Sequence, residues 1–191
     1  MDLKKDTLVW IVRCPHIDLP LREQAAIKLQ ALSPSKDELM CIVSYCRTAA
    51  VTAGRTLLKG NQDDLTISTI ILRAPCLAVE IWDQHRASLG IHSLEALIRH
   101  NPQFAFRFDV GKMLISKTDA FSPLFAVFEN IPELREEAWE KLQLIELSPA
   151  WGGALIRVAP DFTDRVTPLM KKPARDVETV MYELLWLTKL D

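Results

Sequence analysis

The chain repeats itself, and that repetition constrains its fold more than any other feature. Pro132 to Pro160 reads PELREEAWEKLQLIELSPAWGGALIRVAP, and Pro20 onward reads PLREQAAIKLQALSPSKDELMCIVSYC. Both stretches open with Pro, Leu and Arg, continue Ala-x-x-Lys-Leu-Gln, and reach a Ser-Pro turn before a second apolar segment. A unit this short cannot bury its apolar face alone, so repetition implies stacking on neighbouring copies. Three columns hold one register. Ala25, Ala53, Ile81, Val110 and Ala138 are spaced 28, 28, 29 and 28 residues apart. Leu29, Leu57, His85, Leu114 and Leu142 take the same steps, as do Ile42, Ile70, Ile98, Val127 and Leu155. Val166 and Met170 extend the first two columns by a further 28. Apolar residues within each unit fall at helical spacing, so the unit reads as two short helices.

The register predicts an all-α fold: a single right-handed α-solenoid of about six short two-helix repeats, forming one domain over 1–191. A half-repeat cap covers 3–15, followed by repeats at 20–47, 48–75, 76–102, 103–132 and 133–160. A C-terminal cap covers 161–191. Local chemistry supports these boundaries. Ser35-Lys36-Asp37-Glu38 has the pattern of a capping box, and Ser122-Pro123 and Ser148-Pro149 each suggest an N-cap followed by proline in the first turn. Arg13, Arg73, Arg99 and Arg157 each precede a proline by two or three residues. Arginine suits the negative end of a helix, and proline beyond it cannot continue the helix. Two places resist the pattern. Trp82 and His85 stand where smaller or apolar residues are expected. Phe104, Phe106, Phe108 and Val110 alternate as a strand would, although the register makes them helical.

The net charge of −2 gives no compositional support for a nucleic-acid or acidic-membrane binder. No run of about eighteen apolar residues implies a membrane span. LVWIV near the N-terminus is too short for a signal peptide's apolar region. The four cysteines, Cys14, Cys41, Cys46 and Cys76, form no C-x-x-C pair and are expected to be buried, reduced thiols of a cytoplasmic protein. Neither they nor the histidines show metal-ligand spacing, and no nucleophile, phosphate-loop or dinucleotide motif occurs. No cofactor or metal is implied. Gly152-Gly153 could open an anion-binding helix terminus, but close helix packing is the favoured reading.

Leu134-Arg135-Glu136-Glu137-Ala138-Trp139-Glu140-Lys141-Leu142 and Leu21-Arg22-Glu23-Gln24-Ala25-Ala26-Ile27-Lys28-Leu29 resemble the first helix of HEAT-like repeats. They are also similar to leucine-rich-repeat variants. The aspartate that HEAT-like units often place between repeats is not visible at a fixed position. The resemblance implies a curved stack of helix pairs and binding to another protein. The expected function is therefore a non-catalytic adaptor or scaffold. The alternative is a HEAT-like nucleic-acid-binding or DNA-repair protein. Candidate binding residues are Trp82 and Trp139, each one place after its column residue, and the arginines Arg13, Arg73, Arg99 and Arg157. At least one of the tryptophans is expected to be partly exposed, since a neighbouring helical residue is turned by about 100° from the column, and would then anchor a partner. The arginines qualify if they form a ladder along one face that meets carboxylates or phosphates. Self-association through Trp186, Leu187 and Leu190 is a further possibility.

Overall fold

A computed structural model of the chain describes residues 4–101 and 107–170. Twelve α-helices and no strands occur among these residues. Contacts divide the chain into two compact units, Met1–Ala105 and Phe106–Asp191. The one 29-residue step in the first column, Ile81 to Val110, spans this boundary. In the first unit the helices are α1 (Lys5–Arg13), α2 (Leu19–Gln30), α3 (Lys36–Tyr45), α4 (Thr48–Leu58), α5 (Asp64–Arg73), α6 (Ala78–His85) and α7 (Ile91–His100). In the second they are α8 (Arg107–Lys117), α9 (Phe121–Asn130), α10 (Arg135–Leu142), α11 (Pro149–Val158) and α12 (Thr163–Val166). Packing runs between neighbours. In the first unit α1 lies on α2 and α3, α3 on α4 and α5, and α5 on α7; in the second, α9 lies on α8, α10 and α11. The helices thus pack in repeat-like pairs. Phe104, Phe106 and residues 171–191, including Trp186, Leu187 and Leu190, lie outside the described residues.

The core is the register made solid. Ala25, Ala53, Ile81, Val110, Ala138 and Val166 are all between 0 and 4 % exposed. Every member of the Ile42 column is buried too. The second column breaks at His85, which is only partly buried, and whose enclosed Nε2 has no hydrogen-bond partner among the described residues. Leu21 and Leu32 of the first repeat, at helical spacing with Ala25 and Leu29, are exposed; the adjacent pair Ala25 and Ala26 is buried with Leu29 instead.

The same turn recurs between units. Ala74, Ile131 and Ala159 share a non-helical conformation, φ −132°, −129° and −138° with ψ 65°, 83° and 86°. Each precedes a proline, which disfavours helical geometry in the residue before it. Pro75, Pro132 and Pro160 then open one 3₁₀ turn whose third residue, Leu77, Leu134 or Phe162, is buried. All four candidate arginines fall in the last turn of their helices.

Capping follows the sequence at two of the three serine sites. Ser35 and Glu38 form the reciprocal capping box, and Ser148 Oγ accepts from the Trp151 N–H at 3.2 Å. Ser122 does not cap: α9 begins one residue earlier, at Phe121, with Ala120 in the cap position. The Thr118 hydroxyl serves this turn instead, accepting from the Ala120 N–H at 3.1 Å.

Polar contacts also tie neighbouring second helices to one another. Lys5 on α1 pairs with Glu38 at 2.7 Å, and Lys36 on α3 with Asp63 at 3.3 Å. Asp63 accepts from the Thr66 N–H, and this bond leads the influences holding its carboxyl at about 2, so the cap survives into strong acid. The first helices do likewise. The Glu23 carboxylate on α2 accepts from the Thr48 and Ala49 N–H groups at 3.0 and 2.8 Å, capping α4, and Arg55 on α4 reaches Glu80 on α6 at 3.0 Å.

The two glycines of α11 play different parts. A Cβ on Gly152 would collide with the Met170 sulfur, so packing explains this glycine. Gly153 has open space around the equivalent position. Gly153→Ala should therefore stabilise the chain by about 0.5–1 kcal/mol, the difference between the two residues inside a helix. Urea unfolding checks it, and a lower midpoint would contradict the open space.

Candidate interaction surface

Both tryptophans are inside. Trp82 on α6 is 6 % exposed and Trp139 on α10 is 2 % exposed. The expectation that at least one reaches the surface is overturned. The cause is the width of the buried stripe: an arc of about 100° or more encloses a column residue and the one after it. Gly54 and Gly111 hold the equivalent places, where a Cβ would press on Leu77 at 2.9 Å, or on Ile131 and Leu134 at 2.6 Å. This position therefore trades size with its surroundings. Trp139 meets Phe162 edge-on at 5.6 Å, and Phe162 meets Phe128 edge-on at 5.0 Å. The Arg165 guanidinium covers this cluster, 5.2 Å from the Trp139 ring and 4.6 Å from the Phe162 ring. Glu136 holds it there at 2.8 and 2.9 Å, and Arg165 in turn draws the Glu136 carboxyl below the usual carboxylate range. The cluster is a lidded core.

The arginines do not occupy one position. Counted from the buried residues Ile70, Ile98 and Leu155, Arg73 stands three places later, Arg99 one and Arg157 two. At about 100° per residue, each points in a different direction. Arg73 and Arg157 are exposed. Arg99 bonds Glu95 through Nε at 3.0 Å. Arg13 and Cys41 line the same face, and the interaction with Cys41 raises the arginine's pKa; burial is the larger influence on Cys41 and pushes its thiol up. Cys41 therefore stays a protonated thiol at neutral pH. All four cysteines are free, but only Cys41 and Cys46 are buried; Cys76 is exposed and Cys14 is partly so.

A different set of residues shares a face. In the first unit, a groove of about 220 Å³ between α5 and α7 is lined by Ser68, Thr69, Leu72, His92, Glu95, Ala96, Arg99 and His100. A second, of about 450 Å³, lies between α1 and α3 and is lined by Arg13, Asp37, Met40, Cys41, Ser44 and Tyr45. The two are related by the register. Met40, Ser68 and Ala96 stand two places before Ile42, Ile70 and Ile98; Ser44, Leu72 and His100 stand two places after. In the first unit α3, α5 and α7 thus turn the same two positions to the grooves beside their buried column, whereas on α9 the first of them, Phe125, is buried. The register contained this signal, since the face is fixed once the buried residue is known. Two of the sequence candidates, Arg13 and Arg99, line these grooves. Burial, and next the Arg99 charge, lower the pKa of His100, favouring its neutral form.

No protein-family model, curated protein or solved structure matches the chain. Among the described residues no single helix is long and apolar enough to cross a membrane.

Proposed function

We propose that the chain is a HEAT-like right-handed α-solenoid of about six short two-helix repeats, and that it acts as a non-catalytic adaptor gripping another protein. The grip is the second-helix face of its first unit. One observation carries this reading: apolar side chains stand in solvent beside the α5/α7 groove. Leu65 and Leu72, two turns apart on α5, are 63 % and 46 % exposed. A cluster of exposed apolar residues next to a groove is how partner surfaces are commonly built. The nucleic-acid alternative draws its local support from an arginine ladder and from Lys171 and Lys172; Arg73, Arg99 and Arg157 stand at differing positions, which weakens the ladder, and the two lysines lie outside the described residues.

The test is capture of partner proteins by the full chain and by a Leu72→Glu, Ala96→Glu double variant with matched circular dichroism. Proteins retained by the parent chain should be lost by the variant. Identical capture by both would overturn the assignment of the face. DNA binding that weakens steeply with salt would restore the nucleic-acid alternative.

A further inference from the structure

The motif shared by the first and fifth repeats holds two residues that find partners in the fifth and none in the first. One is the leucine that opens it. In later units the opening residue packs 23 places back, on the first helix of the unit before. Leu77 stands against Gly54, where a Cβ would come within 2.9 Å of it, Leu134 stands against Gly111 at 2.6 Å, and Phe162 meets Trp139 edge-on. Ala49, at the same position, is buried too. Leu21 is the counterpart in the first repeat and is 50 % exposed. Among the described residues no first helix precedes α2 to receive it. A helical stack normally closes on a polar outer face, and a leucine whose described counterparts are all buried departs from that.

The other residue is a lysine. Lys141 on α10 reaches back to the C-terminal end of α8, where its ammonium donates to the Thr118 carbonyl at 2.9 Å and pairs with Asp119 at 2.7 Å. Lys28 holds the same place on α2, is exposed, and has no hydrogen bond or ion pair among the described residues. Leu21 and Lys28 lie seven residues apart, as Leu134 and Lys141 do, so each pair spans about two turns along one side of its helix. On the receiving side, Gly111 is followed seven and eight places later by Thr118 and Asp119. An apolar knob and a cation thus stand on α2 at the interval that α8 accepts from the fifth repeat.

We infer that this end of the stack takes a helix of a partner protein, standing where the first helix of a preceding repeat would stand. The partner helix offers glycine or alanine to Leu21, because a leucine at this position meets glycine at both Gly54 and Gly111. Seven or eight residues further on, at its C-terminal end, it carries a carboxylate for Lys28. This surface is separate from the second-helix grooves, and its assignment does not depend on them.

The probe is a phage-displayed library of helix-forming peptides, selected on the full-length chain. Winners should carry glycine or alanine within an apolar stripe, with Asp or Glu seven or eight residues later. Their binding should fall at least tenfold with Leu21→Arg, a change at an exposed site, and severalfold with Lys28→Glu. Reversing the peptide's acid to lysine should restore binding to the Lys28→Glu chain, which a misfolded variant could not do. Winners that need Leu21 but place a bulky residue opposite it, or that ignore the sign of the charge at Lys28, would overturn the partner chemistry. Winners lost with Ala96→Glu but kept with Leu21→Arg would belong to the groove and overturn this surface. Self-association of the parent chain that Leu21→Arg abolishes would make a second copy the occupant and overturn the partner helix. No winners, or winners indifferent to both Leu21→Arg and Lys28→Glu, would overturn the surface altogether.

Discussion

Trp139→Ala is expected to lower the unfolding free energy by about 3–5 kcal/mol, the usual result of cutting a buried indole back to a methyl group. Trp139 is nearly inaccessible, and its ring is the edge on which Phe162 packs. Removing it leaves a cavity bounded by Phe162, itself tied to Phe128, so the walls cannot easily collapse. Arg165 would keep Glu136 but lose one of the two rings beneath it. Trp139→Phe should recover part of the loss by restoring an aromatic edge. Denaturant unfolding measures the first effect, and partner capture by the folded fraction should stay unchanged. A small stability change with lost capture would return Trp139 to the role of surface anchor.

Asp64→Ala should cost about 2–3 kcal/mol, between the loss of a helix cap and the loss of several charge-assisted hydrogen bonds. Asp64 sits in the first turn of α5 yet caps α7, with its carboxylate accepting from three N–H groups there. The Ser93 hydroxyl completes the tie, donating to the Asp64 carbonyl at 3.0 Å. A single side chain thus joins two repeats, and its removal strands three donors at once. Gly90 belongs to the same device: a Cβ there would collide with the Asp64 carboxylate carbon and stand 2.8 Å from Oδ1. Gly90→Ala should therefore imitate Asp64→Ala, and the double variant should cost less than the sum, because both break one contact. Hydrogen exchange at Gly90, His92 and Ser93 should quicken in either variant. Unchanged protection at those amides would show that water replaces the carboxylate without loss.

Asp64 also answers a question that the sequence left open. The resemblance to HEAT-like repeats called for an aspartate recurring between units, and none stands at a fixed position. Carboxylates at different positions join neighbouring helix pairs here, Glu23 to α4 and Asp64 to α7. A backbone N–H at a helix start accepts any carboxylate that reaches it, so the function survives without a fixed address.

The sequence by itself determined the helical repeat, its period and its buried columns. Ala25 through Val166 and Ile42 through Leu155 could be named as interior because a column kept over several units is explained by packing alone. It also determined the ends of the second helices, since proline after an arginine-bearing last turn leaves the backbone few choices. Only the tertiary structure decided what lies next to a column. Whether Trp139 is inside, and Gly153 outside, depends on the breadth of the contact each helix makes with its neighbours. The arginines, by contrast, were legible by counting: Arg73, Arg99 and Arg157 stand three, one and two places after their column residues, and one place is about 100° of direction. The register names the groove-facing positions of α3, α5 and α7, but the grooves themselves are joint properties of two helices and form only when both are in place.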